Sequence, residues 1–136
     1  MIFQTAINKI LLQPKQLFLL DGFGALLSAF SLGVVLVQLE SLFGIPPNVL
    51  YILAVLPCFF AVYDFYCYFK IERKIGFFLK GIAFVNLGYC VLSLGFAYVH
   101  QESITTLGWT YIILEVLIVV YLAILEIKVA NYLKVN

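Results

Sequence analysis

Apolar residues gather along the chain into four long runs, about 17–39, 48–69, 77–99 and 109–127, with short polar stretches between them. Each run is roughly 20 residues long, enough for an α-helix to cross the hydrocarbon core of a bilayer. A chain in lipid must pair its own backbone groups, and a helix does so within one segment. The pattern therefore predicts an all-α membrane protein, a four-transmembrane-helix bundle forming one membrane domain over residues 1–136. Ahead of the first run, Phe3, Ala6, Ile7, Ile10 and Leu11 recur at helical spacing, with Gln4, Asn8 and Lys9 between them, and Pro14 ends the segment. This is a short amphipathic N-terminal helix suited to the membrane surface. Ile45-Pro46-Pro47-Asn48 predicts a tight turn, since proline cannot continue a helix and restrains the residue before it. Thr105 or Thr106 is placed to cap the fourth helix, and Pro57 falls near the middle of the second.

Polar residues inside the runs are periodic. Asp21, Gly24, Ser28, Ser31, Val35 and Gln38 follow steps of three and four, as do Ala83, Asn86, Cys90, Ser93, Ala97 and His100. Each set makes one stripe on its helix. Glu115 and Glu126 stand eleven residues apart, about three turns, and share a face of the fourth helix. Three such stripes predict a polar interior lined by Ser28, Ser31, Asn86, Ser93, Glu115 and Tyr89. The competing reading is packing alone, with interhelical polar pairs contributing about 0.6 kcal/mol each. Gly81, Gly88 and Gly95 form a smooth line opposite the Asn86 stripe, and Ala25, Ala29 and Gly33 form a second small-residue line. Such lines permit close helix contact, so the glycine face is a candidate homo-oligomer surface.

Charge orients the bundle. Lys9 and Lys15 precede the first run, Lys70, Arg73, Lys74 and Lys80 lie around the second polar stretch, and Lys128 and Lys134 follow the fourth run. The stretches 40–47 and 100–108 hold no Lys or Arg. Short loops rich in Lys and Arg stay cytoplasmic, which predicts N-inside and C-inside. The aromatic residues Trp109, Tyr111 and Tyr51 then mark the outer boundary, and Tyr66, Tyr68 and Tyr132 the inner one. With 65% apolar and 11% charged residues, the chain has no room for a soluble catalytic module, and its few cations are explained by topology rather than by nucleic acid. Membrane lipid is the expected partner, and the Lys70–Lys74 cluster suits anionic headgroups.

A charge at membrane depth is costly, so buried acids are the sharpest chemical feature. Asp21 and Asp64 lie one to two turns from the inner face, where pairing with Lys80 or with each other is the simplest expectation. Glu126 lies within reach of the inner interface. Glu115 has no cation on its side of the membrane and is the leading candidate for ion coupling or ligand binding, with Asn86, Ser93, Ser28, Ser31, Asp21 and Asp64 as candidate companions. Cys58, Cys67 and Cys90 show no metal or disulfide spacing. No Ser–His–Asp set, haem ligand pair or phosphate loop is present, so the sequence predicts neither an enzyme nor a bound cofactor or metal.

The run from Asp21 to Phe30, with Asn86-Leu87-Gly88-Tyr89-Cys90 and Leu107-Gly108-Trp109-Thr110-Tyr111 through Glu115, resembles a group of small bacterial four-span membrane proteins. The resemblance covers most of the chain and implies a multi-pass protein of the inner (cytoplasmic) membrane; that group carries no assigned activity. Small multidrug exporters also have four spans and a membrane carboxylate. This chain departs from them in its length, in the inner position of its first acid and in lacking their Trp-rich pattern. Two functions stay open: a non-catalytic accessory or lipid-contacting module, and a proton- or ion-coupled small-molecule carrier using Glu115.

Overall fold

The computed structural model describes residues 2–135, without the side chains of Phe3, Ala6, Lys134 and Val135. The part of the amphipathic face assigned to Phe3 and Ala6, and the C-terminal charge assigned to Lys134, therefore lie outside the described residues. Every regular element among the described residues is a helix. Helix α1 (Ile2–Leu12) leads to α2 (Gln16–Gln38), which contains a wide π-turn at Ser31–Val35. A short α3 (Glu40–Phe43) precedes α4 (Pro47–Lys70), α5 (Ile75–Val99) and α6 (Thr106–Val135). Helices α2, α4 and α5 are long and apolar enough to cross a membrane, which marks the chain as a membrane protein.

The connections have plain chemical causes. Gly44, at φ +71°, takes the left-handed conformation that ends α3, and Pro47 opens α4 at a position where its missing N–H costs nothing. Thr105 caps α6 as expected, its hydroxyl accepting from the Gly108 N–H at 3.1 Å. The same hydroxyl donates to the Leu42 carbonyl at 2.6 Å, and the Thr105 N–H bonds the Phe43 carbonyl at 3.1 Å, so α3 is tied to the start of α6. His100 is half-buried, and its ring Nδ1–H and backbone N–H both reach the Phe96 carbonyl at 3.0 Å.

The helices pack as two hairpins. Helix α2 lies along α4 and α5 along α6, while the hairpins meet each other more sparsely. One apolar cluster lies toward the α3 end, around Leu36, Leu50, Leu53 and Ile112. A second, at the other end, joins Phe18, Leu79, Ile82 and Val129 to Ile7 of α1. The amphipathic helix is therefore docked on the bundle through Ile7, which is 1% exposed, and does not rest on the surface alone. Large apolar side chains such as Phe59, Val62, Phe77, Val91 and Ile118 point outward. Buried Asp64, Asn86, Ser93 and Glu126 sit inside, so the polarity of a soluble domain is partly inverted.

Candidate functional site

Glu115, half-buried, is the best-connected of the acids inside the long helices. Its carboxylate accepts from the Ser28 hydroxyl of α2, from Tyr89 of α5 at 3.1 Å and from Tyr111, one turn earlier on α6, at 3.3 Å. Ser28 and Tyr111 share one oxygen and Tyr89 takes the other. The Ser28 contact crosses from one hairpin to the other, so the carboxylate ties the two together. The hydroxyl of Tyr111, a residue expected in the outer aromatic belt, is engaged within the bundle. It turns inward because a residue four positions before Glu115 lies on the same face of the helix.

A second polar centre lies toward the α1 end. Asn86 donates its amide to Asp21 at 3.0 Å, and Asp64 and Glu126 stand close enough to Asp21 to interact with it electrostatically. Glu126 is 0% exposed, as is Asp64, and neither has a hydrogen-bond partner for its carboxyl oxygens. Lys80 does not pair with these acids; it lines a separate groove with Glu72 and Lys74. Among the described residues no group of His, Cys, Asp or Glu is arranged to hold a metal ion.

A cavity of about 340 Å³ joins the two centres. Asp21, Asn86, Tyr89, Tyr111, Glu115, Ser28 and Ser31 all contribute to its wall, so most of the expected polar interior comes together. The remainder of the wall is apolar, from Leu27, Pro57, Phe60, Leu114, Ile118 and Leu122. Its size is that of small-molecule sites, about 300–1,000 Å³. Ser93 is not in it: that hydroxyl is buried without a partner against Ile45, Val49 and Ile112, nearer the α3 end. Asp64 also stands outside the wall, behind Asp21.

The first stripe holds for only part of its length. Asp21 is buried and Ser28 and Ser31 face the cavity, but Val35 and Gln38 are exposed, and Leu32 and Leu36 are buried in their place. The π-turn is the cause: its wider loop, closed by the Leu36 N–H on the Ser31 carbonyl, shifts the phase of the helix beyond it. No simple sequence signal marks that turn. The stripe on α5 is buried at Ala83, Asn86, Cys90, Ser93 and Ala97 alike.

The glycine line divides. A β-carbon at Gly81 would stand 2.8 Å from the Tyr63 hydroxyl, which reaches past it to the Phe78 carbonyl at 2.9 Å. Gly88 and Gly95 face open space. On the other line, Gly33 lets α2 approach Ala54 of α4 within 3.2 Å of a β-carbon position, while Ala25 and Ala29 are half-buried. Missed in the sequence was Gly108, whose added β-carbon would meet the Phe43 carbonyl at 2.1 Å. Its signal was the cap itself, a glycine three residues after Thr105. Cys58, Cys67 and Cys90 are free thiols. No protein-family profile matches this chain, and no curated protein or solved structure matches it.

Proposed function

We propose that this protein is a non-catalytic, four-span module of the inner (cytoplasmic) membrane that takes an amphipathic molecule, lipid in the first instance, into the cavity between its hairpins. In this reading α6 supplies the fourth span and both termini lie on the cytoplasmic side, in keeping with the position of the Lys and Arg residues. The observation that carries the proposal is the mouth of the cavity. Leu27, Leu114 and Ile118 line it and are 67%, 54% and 62% exposed, near the middle of α2 and α6, where the surroundings are hydrocarbon and not water. An acyl chain entering there passes apolar walls and meets hydroxyls and a carboxylate at the end. That combination suits an amphiphile. A phospholipid with a photoactivatable acyl chain tests the proposal, since the chain must reach the half-buried Tyr111 and Glu115. Gly88 and Gly95, being open, leave α5 a smooth outer face on which a second copy can pack.

A coupled carrier is the second reading, and one observation favours it. Glu115 and the Asp21–Asp64–Glu126 group sit at two levels of one interior, about 16 Å apart along the helix axis from the eleven-residue separation of the two glutamates. Carboxyls at two levels are what stepwise ion transfer across a membrane uses. Labelling by dicyclohexylcarbodiimide between pH 6 and 9 separates the readings. A carrier gives labelling of Glu115 that fades as pH rises, whereas a fixed structural carboxylate gives no such dependence.

A further inference from the structure

We infer that a groove at the α1 end of the bundle, between the start of α5 and the last turns of α6, binds the phosphate of an anionic membrane phospholipid. The groove shares no wall residue with the cavity, so the inference is independent of what the cavity holds. Its volume is about 510 Å³, and Glu72, Lys74, Phe77, Lys80 and Leu133 line it. Two lysines reach it from different levels. Lys74 ends the connection from α4 in the left-handed conformation, at φ +57°, and is exposed. Lys80 is half-buried, six residues further along α5 and so about 9 Å along its axis. Helical side chains lean toward the N-terminus, which brings the Lys80 ammonium back toward the groove on its apolar stem.

Among the described residues no hydrogen bond or ion pair engages either ammonium, although Glu72 lines the same groove. Two like charges on one groove repel, and an anion between them removes that cost. With two lysines against one glutamate, the wall keeps one net positive charge, the complement of a single phosphodiester. The apolar part of the wall indicates that this anion carries acyl chains. Phe77 is 71% exposed, and Phe84, seven residues on and on the same face of α5, is exposed too. Helix α5 is long and apolar enough to cross the membrane, so these rings continue from the groove into hydrocarbon. A free phosphate would leave them uncovered. Gly76 sets the floor, for a β-carbon there would stand 3.1 Å from the Ala130 carbonyl of α6. The basic cluster read from the sequence is thereby divided. Lys70 and Arg73 do not line the groove, and Lys80, from within the span, does.

Native mass spectrometry of the full chain in detergent, titrated with dioleoylphosphatidylglycerol or dioleoylphosphatidylcholine, tests the inference. The expected result is a saturable phosphatidylglycerol adduct, bound about tenfold or more tighter than phosphatidylcholine. Lys80→Gln and Lys74→Asn, the second a residue that accepts the left-handed conformation, each weaken it about fivefold, while Lys9→Gln on α1 leaves it unchanged. The comparison of the two lipids on the unaltered protein needs no variant to fold. Equal affinity for both lipids, or equal weakening by Lys9→Gln, overturns the inference in favour of diffuse surface charge. An adduct lost in Leu114→Trp but kept in Lys80→Gln also overturns it, because the lipid then lies in the cavity. Displacement by equimolar inorganic phosphate overturns the lipid source and leaves a phosphate site. Absence of any adduct overturns the inference outright, and photolabelling by the acyl chain reports separately on the cavity.

Discussion

Burying a carboxyl among apolar helices costs less when its oxygens are hydrogen-bonded, and Glu115 is held by three hydroxyls from three helices. Because Ser28 and Tyr111 donate to the same oxygen, removing either leaves the other free to strengthen. Ser28→Ala and Tyr111→Phe are each expected to cost roughly 0.5–1.5 kcal/mol, and the double variant less than their sum, in denaturant unfolding of the detergent-solubilised protein. Strict additivity would show that the two donors do not share an acceptor. Glu115 itself was legible from the sequence, as an acid inside an apolar run whose preceding polar stretch holds no Lys or Arg. Its partner Tyr111 was not, because an aromatic near a span boundary reads first as an interface anchor. Only the i, i+4 spacing distinguishes the two roles.

At the scale of elements, the long helices and their order follow from apolar run length, which is why the predicted spans 17–39, 48–69 and 77–99 differ from the observed helices by two residues or fewer at each end. Local departures from regularity were harder to see. The π-turn at Ser31–Val35 coincides with the close approach of Gly33 to Ala54, a tertiary contact that periodicity alone does not encode. The glycines show the same limit: Gly81, Gly88 and Gly95 are equivalent in spacing but not in surroundings. Gly108→Ala, which places a β-carbon 2.1 Å from the Phe43 carbonyl, is expected to destabilise the junction of α3 and α6 by about 2 kcal/mol or more. Gly88→Ala and Gly95→Ala meet nothing within 4 Å and are expected to leave the unfolding of the single chain within about 0.5 kcal/mol of the parent. Unfolding curves of the four proteins check this directly; a loss at Gly95 equal to that at Gly108 would contradict the packing described.

For the whole molecule, the arrangement of two hairpins with a cavity between them explains why polar groups converge without closing the bundle. Helix pairs α2–α4 and α5–α6 are packed along their length, and the hairpins are joined by Ser28–Glu115 and Asn86–Asp21. Sequence periodicity predicted the convergence of Ser28, Ser31, Asn86, Tyr89 and Glu115 but not the lateral opening, and it wrongly included Ser93. An opening is set by which helices stay apart, and that distance is not written in any one helix. The central claim is that this opening admits an amphiphile from the bilayer. The most direct measurement is carbene photolabelling in nanodiscs with a phospholipid carrying a diazirine midway along one acyl chain, mapped by peptide mass spectrometry. The account predicts adducts on Tyr111 or Glu115, within the cavity wall, that disappear in Leu114→Trp. Adducts confined to outward side chains such as Phe59, Val91 and Tyr98, with Tyr111 and Glu115 unmarked, would contradict it.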